Sequence, residues 1–255
     1  MPETGWTHAR TVDRAVFSGG GRNLVVVDVG KGQTRSESIP IPGPLRAMGL
    51  SPDGSGLAFS AVPWEIEVWR VEAAPVVPAR TRLEAETLAA QFRTDSESVV
   101  VVNGEGDFVE TGLGREWDRR VVSAPVPRPA LAAISFDAAW VAVASTSGEV
   151  SVHRTQDGER VGGPWTNASP AQVLCFSPDG RWLLVGTLAS GVVVHGLEGA
   201  VPDLRWEHLR GDGVSAIEVS RDSACLTIVT GDVVRCVRLD GSGSGHLWTH
   251  PALVT

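Results

Sequence analysis

The chain has 255 residues, a formal net charge of −8 and a pI near 5.3, and 42% of its residues are hydrophobic. That apolar share is enough for a core and excludes a disordered chain, while an acidic surface opposes nucleic-acid phosphates and anionic membranes, so no nucleic acid is expected as a partner. No apolar run approaches the ~20 residues of a membrane span. The N-terminus Met1-Pro2-Glu3-Thr4-Gly5 carries neither a basic nor an apolar signal region, so a cytoplasmic protein without membrane insertion is the expectation.

The 29 glycines and 16 prolines fit many short strands joined by tight turns. Val dominates the apolar residues, in runs such as Val25-Val26-Val27 and Val99-Val100-Val101-Val102, and β-branched residues suit a pleated, buried surface. Along the chain one segment recurs. Ser51-Pro52-Asp53-Gly54 returns as Arg93-Thr94-Asp95, Ser135-Phe136-Asp137, Ser177-Pro178-Asp179-Gly180 and Ser220-Arg221-Asp222, with the aspartates at steps of 42, 42, 42 and 43. A degenerate copy is centred on Asp13, 40 residues before Asp53. Such a fixed period is the signature of a repeat architecture.

Three and five residues before each later Asp stand apolar residues, such as Leu50 and Met48 or Phe176 and Leu174. Four and six residues after it stand another pair, such as Leu57 and Phe59 or Leu183 and Val185. Each alternation reads as a strand. Pro pre-sets φ in a type I turn, Asp suits the next position and Gly takes φ > 0, so the spacing predicts a tight antiparallel hairpin. A second turn, usually with Gly, leads to a third strand: Leu24 to Asp28, Ile66 to Trp69, Phe108 to Glu110, Val150 to His153, Val192 to His195 and Val233 to Val237. A looser fourth strand precedes the next repeat, as in Ser38 to Ile41, Arg119 to Val122 and Leu204 to His208.

Four antiparallel strands every 42 residues are the unit of a propeller blade. The expected fold is therefore all-β, a six-bladed β-propeller of four-stranded antiparallel blades occupying residues 1–255 as a single domain. The first repeat begins with its innermost strand near Gly5-Trp6-Thr7 and is read as lacking an outer strand. His246-Leu247-Trp248-Thr249-His250 resembles other fourth strands, such as Pro164-Trp165-Thr166. The expectation is that this C-terminal strand pairs with the N-terminal blade and closes the ring, which removes exposed sheet edges.

The repeat resembles the WD40 family. Phe176-Ser177-Pro178-Asp179-Gly180-Arg181-Trp182-Leu183-Leu184 is similar to that family's strand–turn–strand segment, and Glu65-Ile66-Glu67-Val68-Trp69-Arg70 to its third strand, which usually ends in Trp-Asp. The resemblance covers the whole chain, most clearly residues 44–240, and implies a WD40-like β-propeller that binds other proteins. The repeats are degenerate: the Trp-Asp position reads Trp69-Arg70, His153-Arg154, His195-Gly196 and Val237-Arg238, and no repeat carries Gly-His before its first strand. The family's hydrogen-bond network of His, Ser/Thr, Asp and Trp is thus expected to be missing, with blades held mainly by apolar packing between sheets.

No residue set carries catalytic chemistry. The recurrent aspartates fall one per blade, in equivalent turns, where an Asp bonds its own backbone. His153 and His195 are equivalent on adjacent blades, which diverge outward, so no metal and no cofactor are expected. Cys175, Cys225 and Cys236 lack metal spacing and read as free thiols, although Cys225 and Cys236 fall on neighbouring strands. Gly19-Gly20-Gly21 does not lead into a helix, as a phosphate cradle requires. Arg210-Gly211-Asp212 and the sequon Asn167-Ala168-Ser169 are too short to inform.

Trp64, after Pro63, lies in the loop between second and third strands, on the face that carries the fourth-to-first connections, and Arg46 opens an inner strand on that face. Exposed Trp with Arg nearby is the composition of an interface hot spot; local packing is the competing reading. Trp117, with Arg115, is a second partner-binding candidate on the opposite face. The reading is a non-catalytic protein-interaction scaffold whose partner is another protein. The alternative is an enzyme or small-molecule binder using the central funnel, for which His8, Arg10, Gln91 and Glu218 are the polar candidates.

Overall fold

The computed structural model describes residues 7–10, 14–18, 22–28, 35–70, 79–112, 120–123, 128–189, 191–197, 204–206, 213–231, 233–239 and 246–249. Among them every regular element is a β-strand. Met1–Ala124 and Pro125–Thr255 form two compact units.

The first unit holds three sheets. Blade 1 is β1 (Thr7–Arg10), β2 (Arg14–Ser18), β3 (Asn23–Asp28) and β4 (Arg35–Pro40). Blade 2 is β5 (Ala47–Leu50), β6 (Gly56–Val62), β7 (Glu65–Arg70) and β8 (Ala79–Arg82). Blade 3 is β9 (Thr87–Phe92), β10 (Ser98–Asn103), β11 (Asp107–Gly112) and β12 (Arg120–Ser123). In the second unit, blade 4 is β13 (Leu131–Ile134), β14 (Trp140–Ala144), β15 (Glu149–Arg154) and β16 (Arg160–Thr166). Blade 5 is β17 (Ala171–Phe176), β18 (Trp182–Thr187), β19 (Gly191–Gly196) and β20 (Leu204–Trp206). Blade 6 is β21 (Val214–Val219), β22 (Cys225–Thr230), β23 (Val233–Arg238) and β24 (His246–Thr249). Strands pair antiparallel in chain order in every sheet. Six such blades are the architecture of a six-bladed β-propeller.

The recurrent Asp sets the register. In blades 2 to 6 the residue three before it faces the residue four after it: Leu50↔Leu57, Phe92↔Val99, Ile134↔Val141, Phe176↔Leu183 and Val219↔Leu226; in blade 1 Arg10 faces Ala15 instead. The turn between them is a hydrogen-bonded unit. The Ser51 hydroxyl donates to Asp53 Oδ1 at 2.5 Å, the Ser55 amide donates to the same oxygen at 2.9 Å, and the Gly56 amide donates to Ser51 Oγ at 2.7 Å. Ser135–Asp137, Ser177–Asp179 and Ser220–Asp222 repeat this at 2.6, 2.5 and 2.6 Å. In blade 3 Arg93 replaces the serine and pairs with Glu110, while the Ser98 hydroxyl takes over the bond to Asp95 at 2.8 Å.

In blades 2 to 6 the residue after the Asp is left-handed. Gly54 and Gly180 have φ of 74° and 70°, the range natural to glycine, but Ser96, Ala138 and Ser223 also adopt it, at 59°, 55° and 54°. Two of these departures do more than complete a turn. Ser96 Oγ accepts the Asp53 amide at 3.3 Å and Ser223 Oγ accepts the Asp179 amide at 3.2 Å, so each hydroxyl ties its blade to the turn of the blade before. Hydrogen bonds thus accompany the apolar packing between sheets that the sequence predicts.

That packing lies between blades. Leu24, Val26, Leu57 and Phe59 join blades 1 and 2; Ile66, Val68, Phe92 and Val101 join blades 2 and 3. Val150, Val152, Leu183 and Val185 join blades 4 and 5; Val192, Val194, Ile217 and Ile228 join blades 5 and 6. Inner strands approach closely: a Cβ on Gly49 of β5 would meet the Ala90 carbonyl of β9 at 2.7 Å.

One expectation is corrected. The C-terminal strand does not complete the first blade. β24 pairs with β23, as in Val234↔Trp248 and Arg235↔Leu247, and blade 1 has its own outer strand β4, paired from Asn23↔Pro40 to Asp28↔Arg35. A hairpin between consecutive strands closes a short loop, whereas the N-terminal blade lies more than two hundred residues away in sequence, at a larger entropic cost. Asp13, the centre assigned to the first repeat, lies outside the described residues.

The Ser51 hydroxyl bond is the main force holding the Asp53 carboxyl at about 2, below its ordinary value, against the opposing effect of burial. A carboxylate depressed in the folded state stabilises the fold above its unfolded pKa of about 3.9, and that contribution is lost as pH falls through the folded value. Thermal melts from pH 7 to 2 are expected to show the native protein losing stability between about pH 4 and pH 2, with the Asp53→Asn variant starting lower and showing a shallower decline over that interval. Separately, Gly49→Ala should lower stability by about 1–3 kcal/mol in denaturant melts, because a fixed backbone carbonyl must move.

Candidate functional site

Trp64 and Arg46 come to one end of blade 2. Pro63, with φ fixed near −65° by its ring, is followed by Trp64 at φ 64°. That sequence of signs belongs to a type II turn, whose third position normally takes Gly or Asn. The turn is clamped on both sides: the Ser60 hydroxyl donates to the Val62 carbonyl at 3.1 Å, and the Leu83 amide donates to the Trp64 carbonyl at 2.7 Å, continuing the β7–β8 ladder beyond Glu65↔Arg82. The indole is not used in this clamp. Trp64 is 52% exposed, and Val62 beside it is 36% exposed.

The repeat explains why this residue is unusual. Trp64, Gly106 and Gly148 stand at steps of 42 residues, each just before a third strand, and all three are left-handed, at 64°, 92° and 89°. Two blades fill the position with the residue that adopts such a φ without cost, and blade 2 fills it with a bulky aromatic, for which left-handed backbone is strained. Strain kept at an exposed residue points to use.

Arg46 immediately precedes β5; its amide donates to the Ser60 carbonyl at 2.8 Å and its guanidinium pairs with Glu86. The connection carrying it lies against β6, since a Cβ on Gly43 would meet the Ala61 carbonyl at 2.5 Å. On the other side, Arg80 stands 3.6 Å from both Glu65 and Glu67.

Arg115 and Trp117 lie outside the described residues. His8 and Arg10 belong to β1, but their side chains lie outside the described residues. Gln91, on β9, and Glu218, on β21, are partly buried and belong to different units. Glu218 acts on Cys175, whose thiol is pushed up to about 12, first by burial and then by that carboxylate.

The third-strand histidines are built into the blades. His153 is fully buried, its Nε2 2.9 Å from Ser151 Oγ and its Nδ1 3.1 Å from the Gly158 carbonyl, and burial lowers its pKa. His195 stacks on Trp165 with ring centroids 4.1 Å apart and 13° between planes. In blade 2 the equivalent residue is Trp69, whose indole donates to buried Glu67 at 3.0 Å and which meets Phe59 edge-on at 5.1 Å. Among the described residues no group of three or more His, Cys, Asp or Glu could hold a metal ion.

All three cysteines are free. Cys225 pairs with Arg238 and Cys236 with Thr227, which makes the two cysteines diagonal neighbours, too far apart for the Cβ separation of about 3.8 Å that a disulfide needs. Asn167 is occupied, its side-chain amide donating to the Gly148 carbonyl at 3.2 Å. Residues 19–21 and 210–212 lie outside the described residues. Sequence reasoning found Trp64 but not its strained φ, although the comparison with Gly106 and Gly148 was available at the repeat spacing.

The class defined by fold and register is the six-bladed β-propeller. A solved structure titled "Kuenenia stuttgartiensis Hydrazine Synthase" is similar over 91% of this chain and 76% of its own, with a TM-score of 0.71 and 14% sequence identity. At that identity the likeness carries the fold alone. No protein-family model matches the chain, and no curated protein matches it in sequence. No helix among the described residues is long and apolar enough to cross a membrane.

Trp64→Gly tests whether the indole packs or projects. Glycine removes left-handed strain of about 1–2 kcal/mol, partly offset by its greater unfolded-state entropy. The expected melting temperature is equal to or slightly above that of the native protein. A fall of more than about 3 °C would assign the indole to packing.

Proposed function

We propose that the chain is a non-catalytic protein-interaction scaffold of the WD40-like β-propeller type, acting in the cytoplasm without a cofactor, and that its partner, another protein, engages the Trp64 end of blade 2. The observation that carries this reading is the exposed, left-handed Trp64 at a position that blades 3 and 4 give to glycine. Buried Trp contacts are the commonest source of hot-spot energy, and Arg beside them is the next. The acidic balance disfavours nucleic acid and anionic membrane as partners.

The repeats support the same reading. Their polar residues are committed to turns and blade contacts: the aspartates to hairpins, His153 to Ser151 and Gly158, His195 to Trp165. A scaffold needs only a rigid platform and a few projecting side chains.

The test uses the purified full chain as bait in extract of its own cell. At least one stoichiometric protein partner is expected, with capture falling at least about tenfold for Trp64→Gly, as for a hot-spot residue, and less for Arg46→Ala. Retention of every captured protein by the Trp64 variant would reject the site.

A further inference from the structure

Within the second unit the blades cover one another in series, and the last face of that series is not covered like the others. Leu226 and Ile228 of β22 are buried on the side of blade 5. Strand alternation puts Cys225, Thr227 and Val229 on the opposite side. Cys236, Val234 and Trp248 join them there through the β22–β23 and β23–β24 pairs. Thr227, Val234 and Cys236 stand at the repeat positions of Ala142, Val150 and Val152 in blade 4 and of Leu184, Val192 and Val194 in blade 5. Those six are 0% exposed. In the whole chain Thr227, Val229, Val234 and Cys236 are only half-buried, and Trp248 is 54% exposed.

The covered faces show what such a surface takes. Val150 and Val152 pack with Leu183 and Val185 of the following blade. Trp165, paired with Val150, stacks on the following blade's His195. Trp248 is paired with Val234, so it holds in blade 6 the place that Trp165 holds in blade 4. Blade 5 is covered as closely, since a Cβ on Gly186 would meet Val214 of blade 6 at 2.7 Å. Cys175, paired with Leu184, lies under that cover, and its thiol is pushed up to about 12.

We infer that the face of blade 6 turned away from blade 5 packs a β-sheet of another protein, a second interaction surface that goes beyond the Trp64 site and does not rest on it. The occupant continues the existing series of blade contacts, so it offers apolar side chains at strand spacing, as Leu183 and Val185 do in blade 5. Its middle is uncharged, because Thr227, Val234 and Cys236 give no counter-ion to a charge desolvated against them. A planar side chain lies where Trp248 stacks on it, as His195 lies on Trp165. Against Val229 the occupant is small. Blade 5 has Gly186 at that position and no room for a Cβ beside Val214 and Ile217, so a branched Val229 needs a lesser neighbour than those two.

Cys225 and Cys236 lie on this face, so the unaltered chain carries its own reporters, and Cys175 is the covered reference. N-ethylmaleimide is applied to the purified full chain and to intact cells that make it, and each cysteine is read by peptide mass spectrometry. In the purified chain Cys225 and Cys236 are expected to react at least about tenfold faster than Cys175. In cells they should be protected at least about tenfold, and Trp248→Ser should restore their reactivity. Cys175 staying slow in that variant shows that it is folded. A bismaleimide placed on Cys236 in cells should then join a segment of another protein with apolar residues at alternate positions. Slow reaction of both reporters in the purified chain at every concentration would mean that this chain covers the face itself, and overturns the inference. Protection of the purified chain that vanishes on dilution assigns the face to a second copy and overturns it too. So does equal reactivity in cells and in the purified chain, or a joined segment whose apolar residues follow a helical period.

Discussion

The Ser–Asp turn is the constraint on which the rest depends. A serine hydroxyl donated to an aspartate two residues on, and an amide five residues on donated back to that hydroxyl, close the hairpin between the first two strands of a blade. With the turn closed, register has no freedom: the residue three before the Asp must face the residue four after it, as Ile134 faces Val141. A slip of one residue would turn every core side chain outward. Register in turn fixes where the next turn falls, eleven residues beyond the Asp, and so places Trp64, Gly106 and Gly148 alike.

The same turn couples neighbouring blades. Where the residue after the Asp is glycine, as in Gly54 and Gly180, the following blade supplies a serine hydroxyl to the preceding Asp amide, Ser96 in one unit and Ser223 in the other. Both serines accept left-handed backbone to do so. Ala138 adopts it without such a bond, with its carbonyl held by the Thr155 hydroxyl at 2.8 Å. Left-handed positions are filled by glycine in some turns and by Ser96, Ala138, Ser223 or Trp64 in others. Trp64 is the case in which the side chain faces solvent.

Degeneracy of the repeat has not left the blades without polar order. At one repeat position of the third strand stand Trp69, His153 and His195, and each makes a different local contact: buried Glu67, Ser151 with the Gly158 carbonyl, or the Trp165 ring. These contacts are short in range and specific to a blade.

The sequence by itself determined the blade: the 42-residue period, the Asp hairpins, the apolar pairs at −3 and +4 and the third strands, all of which follow from contacts within a few residues. It also singled out Trp64 and Arg46, because an exposed turn and a strand start are local features. Tertiary structure decided what depends on distant partners. β24 joins β23 because that hairpin closes the shorter loop and β4, which the sequence marked only from Ser38 on, already fills the edge of blade 1. Arg46 pairs with Glu86, and Arg93 with Glu110, across connections that no spacing rule links. The strain at Trp64 became visible only as a backbone angle, since φ is set by the strands that the turn must join.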